Sequence, residues 1–154
     1  MASTISAATL TVTITEAVTL NGYDQGSKNE LSIASINEVM KRIVTCPASN
    51  NTVIFLSNAT VHGAVGAVDV GDVKYIRITN LDDTNAIEVA IVGAATLYQV
   101  ELAAGESHIL GNPDNIMLAE EDTTPSFGTM ADIAKIMVNP GGNAVDVELF
   151  IASG

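Results

Sequence analysis

The stretch VKYIRITNLDDTNAIEVAIV, residues 73–92, decides how the chain is read. Ile76 and Ile78 point to one side of an extended segment, and Tyr75, Arg77 and Thr79 to the other. NLDDTN, residues 80–85, is a turn built from side chains that bond their own backbone. Ile87, Val89 and Ile91 then recur at every second residue, with Glu88 between the first two. This period predicts two strands joined as a half-buried antiparallel hairpin.

The same alternation recurs on both sides. Leu10, Val12 and Ile14 share one face of a strand from Thr9 to Leu20, and Thr9, Thr11, Thr13 and Thr15 share the other. Val18 and Leu20 are expected to resume the buried face, and Asn21-Gly22 ends the strand with a strong turn signal. Tyr23 to Asn29 reads as a polar loop. Residues 31–46 admit two readings. Ile36, Val39, Met40 and Ile43 fit helical spacing, whereas Met40, Val44 and Cys46 fit a strand. The β-branched run Ile43-Val44-Thr45 and the stop at Pro47 favour extended structure. Asn51 to Ser57 predicts a short buried strand, and Asn58 to Asp72 a long loop with a weak strand around Ala64 to Val70. Further strands are predicted at Thr96–Leu102, Ser107–Leu110, Ile116–Ala119, Ala131–Val138 and Ala144–Ala152. In the last, Val145, Val147, Leu149 and Ile151 share one face. Turns fall at Ala103 to Glu106, Gly111 to Asp114 and Pro140 to Asn143, and Glu120 to Gly128 is an acidic loop. Nine or ten short strands at such spacing predict an all-β chain, an antiparallel β-sandwich of jelly-roll-like form. Residues 1–8 are small and polar and read as an arm, and residues 9–154 as a single sandwich domain.

Composition narrows the function. Apolar residues make up 47% of the chain, charged residues only 16%, and aromatics 4% with no Trp. Few charges leave a neutral surface of the kind that sits against copies of itself or a partner. The net charge is −12, with 6 basic residues against 18 acidic ones. Phosphate binding needs a basic patch, so nucleic acid is disfavoured, and an anionic membrane is disfavoured for the same reason. No apolar run approaches the ~20 residues that span a bilayer as a helix. The start MASTISAA has no basic segment or apolar core of signal-peptide length, which predicts folding in a cytoplasm.

No catalytic constellation is visible, and neither an enzyme nor a cofactor is expected. His62 and His108 stand apart in sequence, without the paired histidines of a cupin-type metal site. Cys46 reads as a small buried hydrophobe beside Pro47. Asp82-Asp83 and Glu120-Glu121-Asp122 could offer oxygen to calcium, yet lack EF-hand spacing and read as solvated loops. Gly63, Gly66 and Gly71 form no phosphate loop, and Ser57, Ser107 and Ser126 lack a nucleophile elbow. Only Tyr23, Tyr75 and Tyr98 could serve as glycan platforms, and packing is the favoured role for each.

The phrases YIRITNLDDTN (75–85), ELAAGESHIL (101–110) and AVDVELFIAS (144–153), with TVTITEAVTLNG (11–22) and KRIVTCPASNNTVIF (41–55), resemble small all-β virion proteins of tailed bacteriophages, above all marine and cyanobacterial ones. The resemblance covers most of the chain. It implies a structural virion protein, foremost a capsid decoration or cement protein on the outside of the head, made in the host cytoplasm. Its partners would be the major capsid protein and copies of itself, with a trimer favoured because three-fold junctions touch several shell subunits at once. A neck, tail or fibre component, or a host-glycan-binding sandwich, is the alternative. The expected interface is the arm and the polar strand face, with Ser3, Thr4, Ile5, Thr9, Thr11, Thr13 and Thr15 as its residues. An arm of Ala, Ser and Thr has no core of its own and orders against another chain.

Because neither acidic segment has ligand spacing, a chelator is expected to leave the melting temperature unchanged. A large drop would make calcium ligands of those carboxylates, since a ligand bound to the native state alone stabilises it.

Overall fold

The computed structural model describes residues 4–57, 68–94, 97–111 and 127–154. Among them are twelve strands and no helix. In chain order these are β1 (Ala8–Glu16), β2 (Thr19–Leu20), β3 (Tyr23–Asp24), β4 (Ser27–Ile36), β5 (Glu38–Cys46), β6 (Thr52–Leu56), β7 (Val73–Asn80), β8 (Ile87–Gly93), β9 (Leu97–Leu102), β10 (Ser107–Leu110), β11 (Ile133–Asn139) and β12 (Val145–Ser153). The ambiguous residues 31–46 are extended, in β4 and β5. The strands expected at 64–70 and 116–119 and the acidic loop at 120–128 lie wholly or largely outside the described residues.

The last eight strands form two four-stranded antiparallel sheets, ordered β10-β7-β12-β5 and β6-β11-β8-β9. Their pairing is nested: β5 with β12, β6 with β11, β7 with β10 and β8 with β9. One long ribbon of paired strands is thus folded over on itself. The joins β12–β7 and β11–β8 sew its turns into sheets. That is the jelly roll, and it explains why nearly every inward side chain is aliphatic. Ile76, Ile78, Leu149, Ile151, Val147 and Val145 from one sheet meet Ile87, Val89, Ile91, Ile133, Ile136 and Val138 from the other, all of them buried. Two aliphatic faces about 10 Å apart interdigitate without needing large rings.

The central stretch is corrected in one respect. Its two strands exist where the alternation puts them, but they are not paired with each other. β7 lies in one sheet and β8 in the other, so residues 81–86 bridge the layers rather than close a hairpin. The turns at Ala103 to Glu106 and Pro140 to Asn143 likewise carry the chain between sheets. Among consecutive strands of the sandwich, β8 and β9 alone are paired. β6 holds a second departure. Its register against β11 slips between Ile136 and Met137, which leaves Ile54 unopposed. The bulge lets the consecutive Ile54 and Phe55 both enter the core, against strict alternation.

Among the described residues one polar side chain, that of Asn80, is fully buried, and it organises this end of the sandwich. The Asn80 amide donates to the carbonyl oxygens of Asn85 (2.8 Å), Ala103 (3.1 Å) and Leu102 (3.2 Å). Its oxygen accepts from the Asp82 N–H at 3.0 Å. A single residue therefore ties the 81–86 bridge to the 103–106 bridge. Asn80→Ala is expected to cost about 1–3 kcal/mol in denaturant unfolding, because it strands buried backbone groups. A loss under about 0.5 kcal/mol, the scale of a neutral surface change, would contradict this role.

Candidate assembly surface

Residues 8–36 make a separate ladder outside the two sheets. β1 pairs β4 from Leu10↔Ile33 to Glu16↔Ser27. Asn21-Gly22, both with positive φ (52° and 82°), closes β2 onto β3 with Leu20 opposite Tyr23. This is the two-residue hairpin that an Asn-Gly pair favours. The loop expected at Tyr23 to Asn29 is instead β3 and the start of β4. Gly26 sits where an added Cβ would lie 2.3 Å from the Glu16 carbonyl oxygen, so the close approach there requires glycine.

Only the base of this hairpin is anchored. Leu10, Val12 and Ile33 pack on Tyr75, Phe150 and Ala152, the outer face of the β10-β7-β12-β5 sheet. Tyr75 and Phe150 meet edge to face, with ring centroids 6.1 Å apart. The Arg77 guanidinium lies 6.0 Å from the centre of the Phe150 ring. A cleft of about 290 Å³ opens where β1, from Leu10 to Ile14, passes Arg77 and Ile109. From Thr13 to Ser32 every residue is exposed. Val18 and Leu20, expected on a buried face, are exposed because the hairpin runs beyond the sheet that covers its base. Ile14 (44%) and Leu31 (53%), which oppose Asn29 and Val12, share the anchored face but remain open to solvent.

Of the residues expected at an interface, Ser3 lies outside the described residues. Thr4 and Ile5 precede β1 and are exposed, and Thr9 sits at the irregularity between Ala8 and Leu10. Thr11, Thr13 and Thr15 form the hairpin's other face, opposite Ser32, Glu30 and Lys28. The structure gathers these threonines on one wet surface. It also leaves apolar side chains open to solvent along the ribbon, Ile14 and Leu31 on its anchored face and Val18 and Leu20 nearer its tip. The signal for them was the Asn-Gly turn, which implies a return strand and hence a ribbon.

On the same outer face an ion cluster braces the sheet. The Glu148 carboxylate accepts from Arg77 Nη2 at 2.6 Å and pairs with Lys41 Nζ at 3.0 Å. Arg77 also donates to the Thr79 hydroxyl, which bonds Ser107 at 2.7 Å. These contacts run across all four strands, β10-β7-β12-β5. Hydrogen bonds from Lys41 and then Arg77 hold the Glu148 carboxyl below the usual glutamate range.

Other candidate chemistry is occupied or buried. Cys46 is fully buried, and burial pushes its thiol up. The Asp82 carboxylate accepts from the N–H groups of Asn85 (2.6 Å) and Thr84 (2.8 Å), which lowers its pKa. It faces Asp83, Asp146 and Thr45 across an open cleft. His108 on β10 lies 3.2 Å from the Tyr98 hydroxyl, and burial lowers its pKa. His62, Gly63, Gly66 and Ser126 lie outside the described residues.

No family model and no curated protein matches the chain. A solved chain from Bacillus endospore appendages, described as a novel family of disulfide-linked pili, is similar over 75% of this chain and 88% of its own. Its identity is 10% and its TM-score 0.39, too distant to bear on function.

Glu148 has a depressed pKa in the fold, so its contribution is complete above the ordinary glutamate range. It is lost as the pH falls through the lower folded value. Glu148→Gln is expected to cost about 1–2 kcal/mol near neutral pH, since it weakens the contacts to Lys41 and Arg77 together. The difference in melting temperature from the parent should shrink on acidification. A difference independent of pH would contradict the assignment.

Proposed function

We propose that this protein is a structural virion protein of a tailed bacteriophage, a capsid decoration or cement subunit that binds the outside of the head and associates with copies of itself. The observation that carries this reading is the projecting ribbon, Thr13 to Ser32, which has an apolar face and no buried residue. A lone two-stranded ribbon is marginal in water. It makes physical sense as an element completed by another chain. A rigid jelly roll supplies the platform, and the ribbon reaches from it to clamp a neighbour. The net charge of −12 suits a place outside the shell, away from packaged DNA. The exposed apolar side chains of the ribbon, Ile14, Val18, Leu20 and Leu31, support strand or ribbon docking with neighbouring subunits.

The test is location and copy number. Mass spectrometry of purified virions, with cryo-electron microscopy of the head, should find the protein on the capsid exterior in hundreds of copies. A handful of copies at the neck or tail would replace decoration with the alternative virion role. Absence from the particle would end the reading.

A further inference from the structure

The chain carries a second uncovered apolar surface, on the side of the sandwich away from the ribbon. In the β6-β11-β8-β9 sheet, the outward row Leu56–Lys135–Val92–Leu97 runs across all four strands, with Val53–Met137 beside it. Leu56 and Leu97 are 50% and 55% exposed. A shallow cleft of about 200 Å³ opens here between Val92, Leu97 and Met137. Lys135 stands in the middle of the apolar row, and no ion pair holds it among the described residues.

We propose that this face is the docking site for the ribbon of a second copy of the chain. Ile14 and Leu31 would lie across the two apolar rows, and Glu16 would meet Lys135. Three observations favour a second copy. The fold already packs this ribbon on the outside of a sheet, at Leu10, Val12 and Ile33. The ribbon's free half continues that same face, so the same packing mode can be repeated. Charge also favours one placement. The ribbon's anchored face carries one acid, Glu16 at its far end opposite Ser27, and the sheet face offers Lys135, which has no ion pair among the described residues, within its apolar row, while the acids of that face, Glu88 and Glu101, lie toward the other end of β8 and β9. Finally, the ribbon cannot fold back onto this face within one molecule. It is anchored on the other sheet, and the thickness of two layers about 10 Å apart intervenes.

The contact joins two different surfaces, so it is heterologous, and it either closes into a ring or continues as an open chain. It rests on the self-association in the reading above and is independent of which particle the protein serves.

Sedimentation velocity on the full-length protein tests it. The parent should associate with rising concentration. Ile14→Asp disables the ribbon and Leu97→Asp disables the face, and each variant alone should stay monomeric. Both positions are exposed, and circular dichroism melts should match the parent. Mixing the two variants should produce a one-to-one heterodimer, because one copy keeps a sound ribbon and the other a sound face. Glu16→Lys and Lys135→Glu should each weaken association about tenfold, or ~1.4 kcal/mol, and the double reversal should restore it. A monomeric parent, a mixture that remains monomeric, or a double reversal no better than the single ones would overturn the proposal. Such results leave the virion location to the mass spectrometry above, and absence from virions leaves this contact standing.

Discussion

Everything in this molecule depends on β12 having two apolar uses at once. Its inward residues Val145, Val147, Leu149 and Ile151 fill the core between the sheets. Its outward residues Phe150 and Ala152 form the floor on which the ribbon's base is seated, and Glu148, the preceding residue on that same face, gathers Arg77 and Lys41. β12 is paired along its length with β5 and over most of it with β7. A strand buried on both faces cannot tolerate a slip of one residue, because every side chain would exchange faces. Register here therefore fixes the core and the anchorage of the ribbon together.

The ribbon and the sandwich are unequal in stability for the same reason. The jelly roll buries aliphatic side chains from both sheets, at roughly 25 cal/mol per Å² of apolar surface. The ribbon rests on a handful of contacts at Leu10, Val12, Ile33 and Ile36 and then leaves the body. Elements that must engage a partner are drawn from the less stable parts of a fold. The threonine face, Thr11, Thr13 and Thr15, is wet, while the opposite face carries the exposed apolar side chains Ile14 and Leu31.

Alternation placed the strands well. Val73–Asn80, Ile87–Gly93 and Val145–Ser153 lie where their periods put them, and Pro47 does end β5. Pairing was not legible. NLDDTN and AAGE report that the chain reverses, but a tight turn and a bridge between layers use the same residues, so β7 and β8 read as a hairpin when they are not. The bulge at Ile54 also broke the rule of alternation, and only the partner strand reveals it. Exposure was the other loss. Val18 and Leu20 carry the same pattern whether or not a sheet lies beneath them, and the length of the hairpin against the width of the sandwich decides it. For that reason residues 1–8 and the threonine face stand out in the sequence as the exposed surface, and the apolar side of the same strand does not.

Hydrogen–deuterium exchange across a concentration series tests the claim that the ribbon is completed by another chain. In dilute protein the amides of Thr13 to Ser32 should exchange far faster than those of β7, β8 and β12. At high concentration they should gain protection, together with slower opening of the edge strands β6 and β9. Ribbon amides that exchange at one rate throughout, or that are as protected as the core when dilute, would contradict it.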